Sequence, residues 1–129
     1  ETRIYLMFLH FSIILIICKF KKHNFPQKSY DDLFNSIEND LRELGMGDVS
    51  VNKKMKDLNK IFYDILLKIN KTNNNLKINK NLIIKYFPEL NDLETTKYEL
   101  FNEYLINFYD FCFELHPETM IKDALNFKV

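Results

Sequence analysis

The residues whose types could do chemistry are few, and they are scattered. His10, His23 and His116 are widely separated, and together with Cys18 and Cys112 they form no recurrent metal-ligand spacing. No zinc or haem site follows. His10 sits within an apolar run, where an imidazole reads as a hydrogen-bonded core residue before it reads as a ligand. Gly45 and Gly47 are the only glycines, and neither belongs to a phosphate-cradling pattern. Acidic neighbours such as Asp31 and Asp32 have a structural reason to stand in a first helical turn, so no acid–base pair is singled out. The expectation is a chain that is not an enzyme and uses no cofactor or metal.

One short string does concentrate chemistry: Leu41-Arg42-Glu43-Leu44-Gly45-Met46-Gly47-Asp48. A chain with two glycines that spends both within three residues needs positive φ or close backbone approach there, with Gly45 placed as a left-handed helix cap. Arg42 could grip a carboxylate through two parallel hydrogen bonds, and Asp48 could accept one. With Glu43, Lys53 and Lys56 they mark a candidate partner-binding corner. The plainer reading is that these charges only cap helices. A second candidate is an apolar flank, Ile106, Tyr109 and Phe113, which widens a helical stripe beyond what one core face needs, although a wide stripe usually means burial.

The elements that must position these residues read as helices. Ile4 to Cys18 is almost continuously apolar, broken by His10 and Ser12 and closed by Lys19, Lys21 and Lys22. It is short of the roughly 20 apolar residues of a membrane span, so it is expected to be a buried core helix. Next, Tyr30, Leu33, Phe34, Ile37, Leu41 and Leu44 recur at helical spacing behind Ser29 as N-cap, with Asp31 and Asp32 in the first turn. From about Ser50 to Ile69 a third stripe runs through Val51, Met55, Leu58, Phe62, Ile65, Leu66 and Ile69. After the polar break Asn70 to Asn75, a short helix is expected from about Leu76 to Phe87, before Pro88. A long helix follows from about Leu93 to Leu115, then a short one begun by Pro117 and Glu118. No period-two alternation appears. The fold class is therefore all-α, a single domain over residues 1–129, built as a compact bundle of about five to six helices with no sheet.

Length and charge agree. At 129 residues one domain is the default. Lys+Arg and Asp+Glu balance at 18 each, which removes the basic excess that nucleic-acid binding usually shows; Lys53, Lys54, Lys56 and Lys60 are interrupted by Asp57 and Asp64. DNA is not an expected partner. Two cysteines in apolar runs point to a reducing compartment. Glu1 at the first position leaves an upstream segment, such as a targeting sequence, as a further expectation. A competing reading uses Ile4 to Cys18 as a membrane anchor, with Lys19, Lys21 and Lys22 marking the cytoplasmic side.

Tyr30-Asp31-Asp32-Leu33-Phe34, then Ile37-Glu38-Asn39-Asp40 running into the glycine string, then Val51, Lys53-Lys54-Met55-Lys56 and Phe62-Tyr63, resemble the ubiquinol–cytochrome c chaperone family. The likeness is ordered from Phe25 to Ile69, and Phe8-Leu9-His10-Phe11 is compatible with the family's first helix. After Phe62-Tyr63 the family usually has a glycine where this chain has Asp64. The resemblance implies a non-catalytic chaperone that binds newly made cytochrome b for assembly of the ubiquinol–cytochrome c reductase complex. It also implies peripheral membrane association, and a second small assembly factor and the ribosome as further partners. The setting implied is the matrix side of the mitochondrial inner membrane or an alphaproteobacterial cytoplasm.

Overall fold

The first helix is the one around which the others are arranged. The computed structural model describes residues 2–72, 75–90 and 96–128. Helix α1, Thr2–Phe20, buries Phe8, Leu9, Phe11 to Leu15, Ile17 and Cys18. It is long and apolar enough to cross a membrane by length and composition alone. Here its sides are taken by α3 (Asp48–Lys68), α5 (Thr96–Phe113) and strand β1 (Ile69–Thr72). A helix apolar nearly all round has no solvated face and belongs at the centre of the fold. The domain is all-α in class, with six α-helices among the described residues.

Helix α2, Gln27–Glu43, starts earlier than its sequence suggests. Its N-cap is Pro26, not Ser29, with the amide of Tyr30 donating to the Pro26 carbonyl at 3.1 Å. Ser29 therefore lies inside the helix, and Asp31 and Asp32 fall beyond the first turn. They accept from Gln27 at 2.9 Å and Lys28 at 2.8 Å, one turn back. At the other end Gly45 has φ 91°, as expected of a left-handed cap. Its amide donates to Arg42 at 3.0 Å, and that of Met46 to Leu41 at 3.3 Å, the paired bonds of a Schellman turn. Because the turn ends the helix at Glu43, Leu44 does not continue the core stripe; it is 79% exposed. A Cβ at Gly45 would meet nothing within 4 Å, so substitution costs backbone strain alone. Gly45→Val is expected to lose about 1–2 kcal/mol, lowering Tm by a few degrees in a thermal melt.

Helix α3 follows after Gly47, whose extended backbone (φ −74°, ψ 166°) supplies the carbonyl that accepts from Val51 at 2.9 Å. Val51, Leu58, Phe62 and Ile65 face the core as the spacing predicts. The polar break is not plain loop. β1 pairs antiparallel with β2, Asn75–Ile78, so that Ile69 stands opposite Ile78. This corrects the expectation of no sheet, and it delays α4 to Lys80–Tyr86, where Asn79 caps it by accepting from the amide of Asn81 at 2.8 Å.

Asp64 ties α3 to α4. Its carboxylate accepts from Lys68 at 2.7 Å, Lys85 at 3.1 Å and the Tyr86 hydroxyl. The Lys68 hydrogen bond, helped by Tyr86, holds the Asp64 carboxyl well below the usual carboxylate range. The same contact and burial raise the Tyr86 hydroxyl. A depressed carboxylate stabilises the fold above its unfolded pKa of about 4 and loses that contribution as pH falls towards its folded value. Both lysine partners are more than half exposed, so screening limits the effect to about 1 kcal/mol. Asp64→Asn is expected to melt lower than the parent at pH 7, with the difference closing as the melts are taken below pH 4.

The expected start of the last long helix, Leu93, lies outside the described residues. α5 ends at Phe113, where the Lys21 ammonium donates to the carbonyls of Leu115, at 2.8 Å, and Phe113. It thus satisfies one of the acceptors left open at the α5 C-terminus and one in the turn that follows. Pro117 and Glu118 do not open the final helix. They lie in a turn, and α6 runs Met120–Ala124. Cys18 and Cys112 are free and buried. Burial raises both thiols, that of Cys112 to about 12.

Candidate functional site

The glycine corner is a surface feature built by two helix ends. The Schellman turn closes α2, Gly47 opens α3, and the three residues between them fold back tightly enough for Arg42 to reach across. The Arg42 guanidinium donates to Asp48 and lies 3.5 Å from Glu38 one turn earlier. Asp48, in the first turn of α3, is also placed favourably for the helix dipole. Arg42 and Asp48, read separately in the sequence as a donor and an acceptor for a partner, are thus joined to each other. The Asp48 hydrogen bond raises the Arg42 pKa further above neutrality. Both remain in solvent, their side chains 42% and 82% exposed. Glu43, Gly45, Gly47, Lys53 and Lys56 are exposed as well.

Beside the clamp stand two apolar residues that the helical stripe did not mark as surface. Leu44 and Val49 are 79% and 84% exposed, one on each side of the glycines. Apolar side chains held in solvent by a rigid turn and bordered by a fixed charge pair are what a protein-binding spot needs: something to desolvate and something to orient it. The signal was in the sequence, since Gly45 predicts where α2 stops and hence where the stripe fails.

The flank on α5 is mostly core. Tyr109 is 1% exposed, and Ile106 and Phe113 are half-buried. The Phe113 ring packs on Phe20 at 5.4 Å and on Tyr109 at 5.7 Å, with the Lys21 ammonium 4.9 Å over its face. Tyr109 is core and the Phe113 ring is packed between it and Phe20, which corrects the reading of Tyr109 as part of a free flank.

The structure adds a cleft that the sequence did not reveal. About 1000 Å³ opens between α1, α2, α5 and α6, floored by Met7, His10, Phe11, Tyr104 and Phe108 and edged by Leu125. His10 is placed as the sequence suggested, within reach of partners on two sides. Its Nδ1 lies 2.7 Å from the Leu6 carbonyl and its Nε2 2.8 Å from the Tyr104 hydroxyl. Nδ1–H must donate to the carbonyl, and in the neutral ring Nε2 then accepts from the Tyr104 hydroxyl. Burial lowers its pKa accordingly, against the backbone bond that raises it. Residues from four helices line this cleft, so no local pattern could have announced it.

Among the described residues no group of three or more histidine, cysteine or acidic side chains stands where it could hold a metal ion. What the site offers is contact. A family model described as ubiquinol-cytochrome C chaperone matches residues 1–77, which takes in α1, α2, the corner, α3 and the hairpin as far as Lys77. No curated protein and no solved structure matches the chain.

Proposed function

Because the chain belongs to the ubiquinol–cytochrome c chaperone family, we propose that it is a non-catalytic assembly factor of the ubiquinol–cytochrome c reductase complex. In this reading it captures newly made cytochrome b at the glycine corner. The observation that carries it is the pairing of exposed Leu44 and Val49 with the Arg42–Asp48 clamp, inside the part of the chain that matches the family. A client with long apolar helices and charged loops needs a keeper that covers apolar surface and fixes orientation, and needs no bond made or broken. The same reading puts the protein where cytochrome b is made, on the matrix side of the mitochondrial inner membrane or in an alphaproteobacterial cytoplasm. A second small assembly factor and the ribosome are its natural company there.

Leu44→Ser with Val49→Ser removes the apolar half of the corner while touching nothing buried. Tm is expected to hold within about a degree, since exposed substitutions usually stay within ±0.5 kcal/mol. Co-purification of newly made cytochrome b is expected to drop by on the order of tenfold. Full capture by this variant would move the client elsewhere, and the cleft edged by Leu125, 86% exposed, would then be the better surface; Leu125→Ser is the variant that separates the two.

A further inference from the structure

At the end of α1 the chain makes the same backbone turn as at the end of α2, but with a different residue in the demanding position. The amide of Lys22 donates to Lys19 at 3.1 Å and that of His23 to Cys18 at 2.9 Å, the same pair of bonds that Gly45 and Met46 make. Lys22 has φ 57° and is the one left-handed non-glycine among the described residues. A Cβ is disfavoured there, and this chain uses glycine for the identical task at position 45. A lysine held in a strained conformation calls for a reason outside the turn.

Its surroundings supply one. Lys22 lines a second cleft, of about 940 Å³, with Lys19, His23, Phe20, Phe25 and Leu67, and no acidic residue lines it. Three of these apolar side chains stand out in solvent: Phe20 is 49% exposed, Phe25 50% and Leu67 76%. Between Arg3 and Asp31 the sequence carries no carboxylate. Of the lysines in that stretch, Lys21 is engaged with the carbonyls of Phe113 and Leu115 and Lys28 with Asp32, while Lys19 and Lys22 are exposed.

The geometry points to this end of the bundle as a docking surface for an anionic phospholipid bilayer, with Phe25 and Leu67 entering the acyl boundary and Lys19 and Lys22 meeting headgroup phosphates. Exposed apolar side chains flanked by cations, with no carboxylate among the side chains that line the cleft, are the composition such a surface takes. Lysine suits it better than a folded acidic partner, because an ammonium is a point charge without the fork that fixes a carboxylate or phosphate in one orientation. The surface is separate from the glycine corner and does not depend on client capture there.

Sedimentation with phosphatidylcholine vesicles and with mixed phosphatidylcholine–phosphatidylserine vesicles, read beside thermal melts, tests it. The parent protein should bind only the mixed vesicles and be released by salt. Lys22→Gly relieves the strained turn and removes the charge, so Tm should rise while vesicle binding weakens by about fivefold, the factor for one lysine at an anionic surface. Lys22→Gln should weaken binding alike without that rise in Tm, and Lys22→Arg should change neither. Equal binding to neutral vesicles, Lys22→Gly binding as the parent does, or displacement by inorganic phosphate at matched ionic strength would each overturn the inference. So would capture of a soluble acidic protein without vesicle binding. In detergent the Lys22 variants should hold cytochrome b as the parent does, and the Leu44/Val49 variant should still bind vesicles, so failure of one reading is distinguishable from failure of the other.

Discussion

Phe62→Ala is expected to destabilise the domain by about 3–5 kcal/mol, the usual cost of removing a buried aromatic ring and leaving its cavity. Phe62 is 1% exposed, and its ring is where three helices meet. From α1 it receives Phe8 at 5.4 Å and Phe11 at 6.1 Å; from α2 it receives Tyr30 at 5.7 Å and Phe34 at 5.6 Å. The Phe8 and Phe34 contacts are edge-to-face, the arrangement that adds to simple area burial. Phe8, Tyr30 and Phe34 cannot fill the void without abandoning another contact, because Phe8 also stacks on Phe34 and Tyr30 lies tilted against Phe34 at 4.6 Å. A loss of this size in a chain this long lowers Tm by on the order of 10 °C. Phe62→Leu, which keeps much of the volume, should cost about 1.5 kcal/mol or less. An alanine variant melting within a degree or two of the parent would mean that α2 and α3 are not joined through this ring.

The second large effect concerns binding. Arg42→Asp alone and Asp48→Arg alone each place like charges against each other at the corner, so any loss of capture in them mixes a disturbed turn with a lost contact. Exchanging the two residues restores the pair with its polarity reversed. The pair itself is exposed, and such pairs contribute little to stability. The exchange also sets a carboxylate against Glu38 and reverses the favourable charge at two helix ends, so the exchanged protein should still fold and melt a few degrees below the parent. If the corner orients cytochrome b through these charges, the exchange puts each client charge opposite its own sign. Affinity should then fall by on the order of tenfold, which corresponds to about 1.4 kcal/mol. Both single variants and the exchange capturing as the parent does would return the clamp to a purely structural role.

How far these features were readable before the fold was known follows from the range of the signal each one leaves. The long helices have a local signature, a stripe every three to four residues, and α1, α2, α3 and α5 were legible from it. Gly45 was legible for the same reason: its φ is a property of one residue and its neighbours. The hairpin was not, because Ile69–Thr72 and Asn75–Ile78 are four residues each and too short to establish alternation. Ser29 is a good N-capping residue that does not cap, because the carbonyl of the proline three residues earlier already accepts the first helical bond. Tyr109 misled because a stripe shows only that a position is apolar, and its burial is settled by neighbouring elements. Leu44 would have been found by carrying the Gly45 prediction one step further, to the end of the stripe. The cleft on α1 and the strained Lys22 depend on the neighbours of α1 and on its backbone conformation, neither of which a local pattern carries.

The claim at the centre of this account is that the glycine corner touches cytochrome b. Val49 is 84% exposed, so a photo-crosslinking residue placed there has room in solvent. Irradiation during synthesis of the reductase subunits is expected to join position 49 to newly made cytochrome b, and the adduct should weaken by on the order of tenfold when Arg42 and Asp48 are exchanged. No cytochrome b adduct at position 49, together with a strong one from the same residue placed at position 125 beside the cleft, would contradict the account and move the client to the cleft.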